Sequence, residues 1–409
     1  MDYRIHRDAH VVFKCSFAGE HRKLLRRQIQ VAMVAIAALF LVYILVYGGF
    51  IVALVRAFPK VKSFEPTNSQ PTTTFSIIIP FRTEEKNLHA LLDSISKIEY
   101  PHELFELIFV DDASEDFSTN VINKWRMANG LFQTTLLENI RLTGSPKKDA
   151  ISRAVPIVKS DWIITTDADC ILPSTWLRTL NDYILQNNAE MIAGPVAYSG
   201  KKTVLHHFQR LDFLSLQGTT IGSFGMRKPF MCNGANFAYK KSFFYDIGAF
   251  NGNENMASGD DVFLLQKAVK QFPEKVHYLK SRSAIVTTQP VKSWFELLNQ
   301  RVRWASKATA YDNLFADDLA IVVFLANLFL VISVILTATT FLDWKLPLGL
   351  FVLKLIPDWL LISKSNSFFG KGRFVFPVFA ALVYPFFTVA VVGFALIGKY
   401  RWKGRSFSR

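Results

Sequence analysis

Apolar residues follow two patterns along this chain. Towards the start and at the end they run almost without interruption; in between they alternate with polar residues at short spacings. Residues 31–55 form an apolar stretch long enough to span a bilayer as a helix. It is too long for a signal-peptide core and lacks a small-residue cleavage site. Residues 319–342 predict a second span, and residues 374–397 a third in spite of Pro377 and Pro385. Residues 346–362 are a weaker candidate, because they carry Lys354, Pro357 and Asp358. Lys354 and Asp358 lie one helical turn apart, so they can pair and lower the cost of sitting in lipid. A structural ion pair in a tilted or re-entrant helix is the favoured reading; a polar lining for an acceptor path is the sharper one.

Between the apolar ends the period changes. Residues 56–74 read as a linker, with Pro, Ser and Thr concentrated over 63–74. Residues 75–79 are a short apolar run closed by Pro80, a buried-strand signal. Leu88, Leu91, Leu92 and Ile95 recur at helical spacing within 84–97, and residues 107–110 form a second strand that runs into Asp111. A helix is expected over 116–129, a strand over 133–137, a helix over 148–158, and a strand over 162–166 that ends at Asp167. The alternation predicts an α/β domain with a parallel sheet and helices on both faces, where ligands bind at the carboxyl ends of the strands. The domain is expected over 75–310, including an interfacial helix over 291–310. It is preceded by a basic tail (1–30), the first span and the linker. It is followed by two to three membrane helices over 319–398 and a basic tail over 399–409.

Composition sharpens this in two respects. Half of the 409 residues are hydrophobic, and the excess sits in the few long runs, so the chain joins a soluble block to membrane segments. The formal net charge of +14 suits nucleic acid, anionic lipid or an anionic substrate. No nucleic-acid module is visible and many basic residues flank the apolar runs, so lipid headgroups and a nucleotide diphosphate are the expected partners. Cys15, Cys170 and Cys232 form neither a disulfide framework nor a zinc spacing, which fits a reducing cytosolic compartment.

The candidate chemistry lies in four clusters. Asp111-Asp112 follows a strand, where a carboxylate can accept from a nucleobase or ribose; a helix cap is the plain alternative. Asp167-Ala168-Asp169 sets two carboxylates one residue apart at a strand end, so both point the same way. They can share Mg²⁺ or Mn²⁺, with open positions for diphosphate oxygens. Asp260-Asp261 follows Ser258-Gly259 and opens a helical pattern. The pair is either a dipole-satisfying cap or includes a general base whose pKa is raised by its neighbour and by burial. Gln300-Arg301-Val302-Arg303-Trp304 ends a helical run in which Gln300, Arg303 and Trp304 share a face. Arg303 can pair with a diphosphate and Trp304 can stack on a sugar, although an amphipathic interfacial helix reads the same way. Lys147-Lys148 follows a turn, from which Lys148 is the candidate to approach the nucleotide; a solvated charge run is the commoner explanation. His206-His207 has no partner spacing and reads as structural.

Taken together, residues 75–304 resemble the family 2 glycosyltransferases, in particular the branch with cellulose, chitin and hyaluronan synthases. The resemblance rests on Ser76-Ile-Ile-Ile-Pro-Phe-Arg-Thr-Glu-Glu85, Val110-Asp111-Asp112, Asp167-Ala168-Asp169, Asn233-Gly234-Ala235-Asn236, Gly259-Asp260-Asp261 and the Gln-x-x-Arg-Trp signature at Gln300 to Trp304. It implies a GT-A fold with a mixed, mostly parallel sheet, an activated donor (commonly UDP-linked), inversion at the anomeric carbon, and Mg²⁺ or Mn²⁺. By the same resemblance Asp261 is the catalytic base and Asp167 and Asp169 hold the metal. Pro80, Arg82, Glu84, Asp111, Asp112, Lys148, Asp167, Asp169 and Arg303 are donor contacts; Asn233, Gly234, Asp260, Gln300 and Trp304 face the acceptor. Thr83 stands where an Asn is common and Asp260 where a Glu is common. A single clear span before the domain departs from the large synthases, whose many helices form a polymer channel.

The function expected is therefore a membrane-bound inverting transferase acting on a lipid or glycan acceptor in cell-envelope polysaccharide or glycolipid synthesis. A processive synthase and a non-catalytic membrane scaffold are the alternatives. The expected location is the inner membrane with the domain in the cytoplasm. Arg22, Lys23, Arg26 and Arg27 conflict with that, because the positive-inside tendency would place the residues before the first span in the cytosol and the domain outside. An extended gene start ahead of Met33 would remove the conflict.

Overall fold

The computed structural model describes residues 3–200, 203–254, 256–307, 312–370, 377–397, 399–402 and 405–408. A single helix, α1 (Tyr3–Ala57), takes in both the basic tail and the first predicted span. The α/β unit then begins with β1 (Phe75–Phe81), α2 (Glu85–Ile95), β2 (Phe105–Asp111), α3 (Ser118–Ala128), β3 (Gln133–Glu138), α4 (Pro146–Ala154) and β4 (Trp162–Thr165). The apolar runs and helical spacings of the sequence locate all of these. α4, expected over 148–158, starts two residues early because Pro146 presets the first helical turn, and it ends at Ala154, where a short 3-10 turn (Val155–Ile157) takes over. β1 and β2 are apolar and buried on both faces, as strands covered by helices on each side must be.

The second half is less regular. It comprises β5 (Cys170–Ile171), α5 (Trp176–Gln186), β6 (Met191–Ala193), β7 (Val196–Tyr198), α6 (Val204–Gly225), β8 (Phe237–Lys240), α7 (Lys241–Asp246), α8 (Asp260–Gln271), β9 (Val276–Tyr278), β10 (Val286–Thr288) and α9 (Trp294–Ala305). The main sheet has the order β3-β2-β1-β4-β8-β6-β9. β8 runs antiparallel to both β4 and β6, so the sheet is mixed and mostly parallel. β1 pairs Phe81 with Asp111 on β2 and Ile78 with Thr165 on β4, which brings the carboxyl ends of these strands to one edge. A small sheet, β5-β10-β7, pairs Thr288 with Cys170 and with Tyr198. It thereby ties the segment after Asp169 to the segment that leads into α9.

The chain ends in α10 (Leu314–Ala338), α11 (Lys345–Phe369), α12 (Pro377–Ile397) and the hairpin β11 (Lys399–Trp402) and β12 (Arg405–Ser408). Among the described residues four helical stretches, Leu24–Lys60, α10, α11 and Val378–Ile397, are long and apolar enough to cross a membrane. The weaker candidate at 346–362 is therefore a complete helix, with Pro357 inside it. Its expected pair forms, Lys354 Nζ to Asp358 Oδ2 at 2.6 Å, and Tyr47 of α1 donates to the other oxygen of Asp358.

α6 joins the two parts. A side chain at Gly222 or Gly225 would collide with the backbone of Leu54 or Ala57, so these glycines let α6 lie directly on α1. α10 begins with Phe315 and Ala316 against Phe230, and α11 returns to give the carbonyls of Ser367 and Phe368 to Arg282. α12 then packs along α9 and the start of α6, from Ala380 against Leu297 to Val391 and Ala395 against Val302. Beyond it, Arg405 meets Asp112. The chain thus touches the α/β unit both before and after α12.

Candidate active site

The strand-end edge opens into one cavity of about 1050 Å³. Its first wall is the pair of loops after β1 and β2. Arg82 bridges them, donating to the carbonyls of Asp112 and Ala113 at 2.8 and 2.7 Å and pairing with Glu115 at 2.6 Å. Thr83 sits between them with φ 53°, a left-handed conformation that a β-branched residue adopts with strain and Asn adopts more readily. Asp112 is buried; its Oδ1 accepts from Asn139 at 2.9 Å and its Oδ2 pairs with Arg405 at 2.5 Å, across 293 positions. Asp111 does not reach the cavity. It accepts from the backbone and hydroxyl of Ser114, so it closes the turn and leaves the wall to Asp112.

The floor is a set of opposed charges. Lys147, in the first turn of α4, places Nζ 2.7 Å from Asp167 and 3.3 Å from Asp260. Burial alone would lower its pKa, but the carboxylates of Asp167, Asp260 and Asp261 outweigh that and raise it. Lys148 goes the other way. It is buried outside the cavity lining, donates to the Asn253 carbonyl at 2.5 Å and lies 4.9 Å from the centre of the Phe263 ring. Burial pushes its pKa down to about 8. Neither the donor contact expected of Lys148 nor a solvated charge run describes this pair: successive residues on a helix point about 100° apart, so one faces the cavity and its neighbour the core.

Asp260 and Asp261 open α8 behind Gly259, whose φ is 85°. A Cβ there would stand 2.8 Å from the Phe263 ring, so the left-handed turn and the tight fit both call for glycine. Asp261 accepts from the backbone N–H of Gly234 and from its own helix at Val262, each at 2.8 Å. Its burial opposes ionisation, yet Lys307, Lys147 and these two N–H groups together hold its pKa below the usual carboxylate range. Asp260, more deeply buried and beside Asp261, is raised in spite of Lys147. The raised pKa expected at this cluster therefore falls on Asp260, and Asp261 is the member kept ionised.

Asp167 and Asp169 both line the cavity, from the turn between β4 and β5. Carboxylates facing an open cavity suit a hard cation such as Mg²⁺ or Mn²⁺. Among the described residues no three or more His, Cys, Asp or Glu side chains are grouped so that they could hold a metal ion by themselves. A cation here would complete its shell with water and diphosphate oxygens, the usual manner for Mg²⁺. The two residues fit that role, with Lys147 as a fixed positive charge beside Asp167.

The last wall comes from α9. Gln300, Arg301, Arg303 and Trp304 all line the cavity, as do Asn233 and Gly234, with Asn233 Oδ1 capping the Ala235 N–H. Arg303 Nη1 reaches Ser258 Oγ at 3.4 Å. Arg301, between the motif's named positions, is buried, pairs with Asp212 of α6 at 2.6 Å, and lies 4.2 Å from the centre of the Trp304 ring. From here the cavity continues between the membrane-type helices, past Tyr47, Lys354, Asp358 and Tyr384.

The structure thus gathers Pro80, Arg82, Glu84, Asp112, Asp167, Asp169, Asn233, Gly234, Asp260, Asp261, Gln300, Arg303 and Trp304 around one space and leaves Asp111 and Lys148 outside it. His206 and His207 also stay outside. Lys147, the other member of the basic pair, joins the cavity lining, as do Lys307, Asp212 and Arg405, which the sequence reading did not single out. Only Lys147 carried a sequence signal, its place beside Lys148 at a helix start.

Residues 76–248 match the family model described as glycosyl transferase family 2. Among curated relatives, the poly(ribitol-phosphate) β-N-acetylglucosaminyltransferase TarS of Staphylococcus aureus is 26% identical over 118 residues, which is 29% of this chain and 20% of that protein. The probable glycosyltransferase YdaM of Bacillus subtilis is 24% identical over 272 residues, covering 64% of this chain and 61% of the relative. The chain therefore spans between about a fifth and three fifths of these relatives. In fold, it is similar to the mannosyltransferase PcManGT of Pyrobaculum calidifontis, solved with GDP-Man and Mn²⁺: the TM-score is 0.55 at 15% identity, over 90% of this chain and 98% of that one.

Proposed function

We propose that this protein is a membrane-bound inverting glycosyltransferase that moves a hexose or N-acetylhexosamine from a nucleotide diphosphate, UDP in the first instance, to a hydroxyl of a membrane-borne lipid or glycan. The observation that carries this reading is the single cavity. It begins at the strand-end carboxylates of a family 2 domain and continues between helices apolar enough for a bilayer. A donor held at Asp112, Lys147 and Arg303 enters from the polar end, and an acceptor anchored in the membrane enters from the apolar end.

In this mechanism Asp261 removes the proton from the acceptor hydroxyl as its oxygen bonds to the anomeric carbon, and the bond from that carbon to the diphosphate breaks on the opposite face. Attack from the far side inverts the anomeric centre. The low pKa of Asp261 keeps it ionised and able to accept at neutral pH. Lys147 and Arg303 supply fixed positive charge towards the departing diphosphate, placed before the reaction so that no reorganisation is needed. Asp167 and Asp169 would hold Mg²⁺ or Mn²⁺, which neutralises charge on the leaving group when bound. The TarS relative is named as an N-acetylglucosaminyltransferase acting on poly(ribitol phosphate), and PcManGT was solved with GDP-Man and Mn²⁺, which supports a nucleotide-sugar donor and a glycan-type acceptor.

The test is transfer from labelled UDP-sugars in Mn²⁺ to a membrane lipid extract, with the product identified by mass. Asp261→Asn should bind UDP as the wild type does and lose about 10²–10⁴-fold in transfer, the usual contribution of a general base. Full turnover by that variant would remove Asp261 from the role. Product sizing separates a single addition from a ladder and so decides against or for a processive synthase.

A further inference from the structure

A charged pair is buried beside the cavity, and nothing in the mechanism above uses it. The side chains of Asp212 on α6 and Arg301 on α9 are only 6% and 7% exposed. Asp212 Oδ2 meets Arg301 Nε at 2.7 Å and Nη2 at 2.6 Å. Removing two charges from water is costly, and an apolar pair of the same volume would hold two helices together as well or better. What an apolar pair cannot do is fix the plane of a guanidinium. Here that plane is fixed from three sides: by Asp212, by Gln300 Oε1 on Nη1, and by the Tyr198 hydroxyl on β7. The guanidinium carbon stands 4.2 Å from the centre of the Trp304 ring, so the indole is stacked on a plane that cannot turn. Trp304 and Asp261 line the same cavity.

We propose that Asp212 is a positioning residue: acting through Arg301, it sets the plane of Trp304 so that an acceptor group stacked on the indole presents its hydroxyl to Asp261. The chemistry rests on the glycosyl-transfer reading above, but the fixed ring can be observed without it. β7, α6 and α9 each supply part of the clamp, and the small sheet that pairs Tyr198 with Thr288 holds β7 beside the strand leading into α9. The arrangement therefore joins the acceptor wall to the β5 segment that follows Asp169.

The experiment uses the full-length protein in lipid nanodiscs with 5-fluorotryptophan in place of tryptophan, the Trp304 resonance being identified by its loss in Trp304→Phe. Asp212→Asn leaves a buried guanidinium unpaired and can unfold the protein. Two further variants avoid this: Asp212→Leu with Arg301→Met removes both charges, and Arg301→Lys keeps the charge but not the plane. In both, the thermal midpoint and UDP binding should stay near wild type, and the Trp304 resonance should shift or split. Transfer to a membrane lipid extract should fall on the order of 10²-fold, as for a misplaced reactant. The loss should appear in kcat and in the apparent constant for the extract, not in that for the donor. Wild-type transfer with an unchanged Trp304 resonance in either variant would overturn the proposal, and so would a loss confined to donor binding. If the wild type itself neither binds UDP nor transfers, the glycosyl-transfer reading fails, and the Trp304 resonance alone decides whether Asp212 holds the ring.

Discussion

The two walls of the cavity are built by different physics. On the donor side, Asp112 and Asp167 follow directly from strands β2 and β4, whose parallel register with β1 sets their ends at one edge. Backbone hydrogen bonds place these carboxylates, and side-chain pairing only trims them. On the acceptor side, Trp304 is oriented by Arg301, Arg301 by Asp212, and the helices that carry them pack against α12 and α1. There, the position of a functional side chain depends on a chain of side-chain contacts between distant segments. The first wall should tolerate loss of its neighbours' polar groups and fail only when its own charges go. The second should fail when a partner remote from the chemistry is removed.

The strongest test of that contrast is Lys147→Met. It removes the ammonium that spans Asp167 and Asp260 and leaves those carboxylates facing each other. Transfer should fall about 10²-fold, as when a preorganised donor to developing charge is lost. Lys148→Met should keep kcat and act on stability instead, because that side chain is buried against Phe263 outside the cavity. Equal loss of kcat in the two variants, measured at saturating donor, would erase the distinction between them.

The pH profile sharpens the assignment within the acidic pair. Asp261 is held below the usual carboxylate range and must be ionised to act, so kcat should persist as pH falls and decline only below that range. Asp260 is raised, so a base at that position would give an acidic limb above the usual range. Asp260→Asn removes a neighbouring negative charge, which should leave the limb in place or move it lower. An acidic limb above the usual range that disappears in Asp260→Asn would transfer the role to Asp260.

Two smaller effects probe the donor wall. Arg405→Ala frees Asp112 Oδ2 for a nucleoside and should lower the donor KM a few-fold, within about 0.2–1 kcal/mol for a partly exposed pair. A rise in donor KM would instead make Arg405 part of the donor contact. Thr83→Asn should raise the thermal midpoint, since relief of a left-handed β-branched residue is worth about 1 kcal/mol. A lower midpoint would mean that the Thr83 hydroxyl bond to the Glu115 N–H matters more than the backbone strain.

Legibility follows the same division. Short apolar runs closed by turn or acidic residues located β1, β2 and β4, and the 3.6 period located the helices between them, because full burial imposes the first pattern and one buried face the second. They could not tell Asp111 from Asp112 or Lys147 from Lys148. Neighbouring residues differ only in the direction they face, and that is decided by what packs behind them: Ser114 for Asp111, Phe263 for Lys148. β8, antiparallel within a mostly parallel sheet, left no period of its own, since a short strand buried on both sides reads as any apolar run.

By itself the sequence determined the alternation of strands and helices, the membrane-type segments, and the carboxylates at strand ends, because each depends on residues close together in the chain. The tertiary structure alone decided which member of each charged pair enters the cavity, which aspartate of Asp260 and Asp261 stays ionised, and that Asp212 and Arg405 belong to the site. Those outcomes depend on burial and on the charges of segments far apart in sequence, and no local pattern records them.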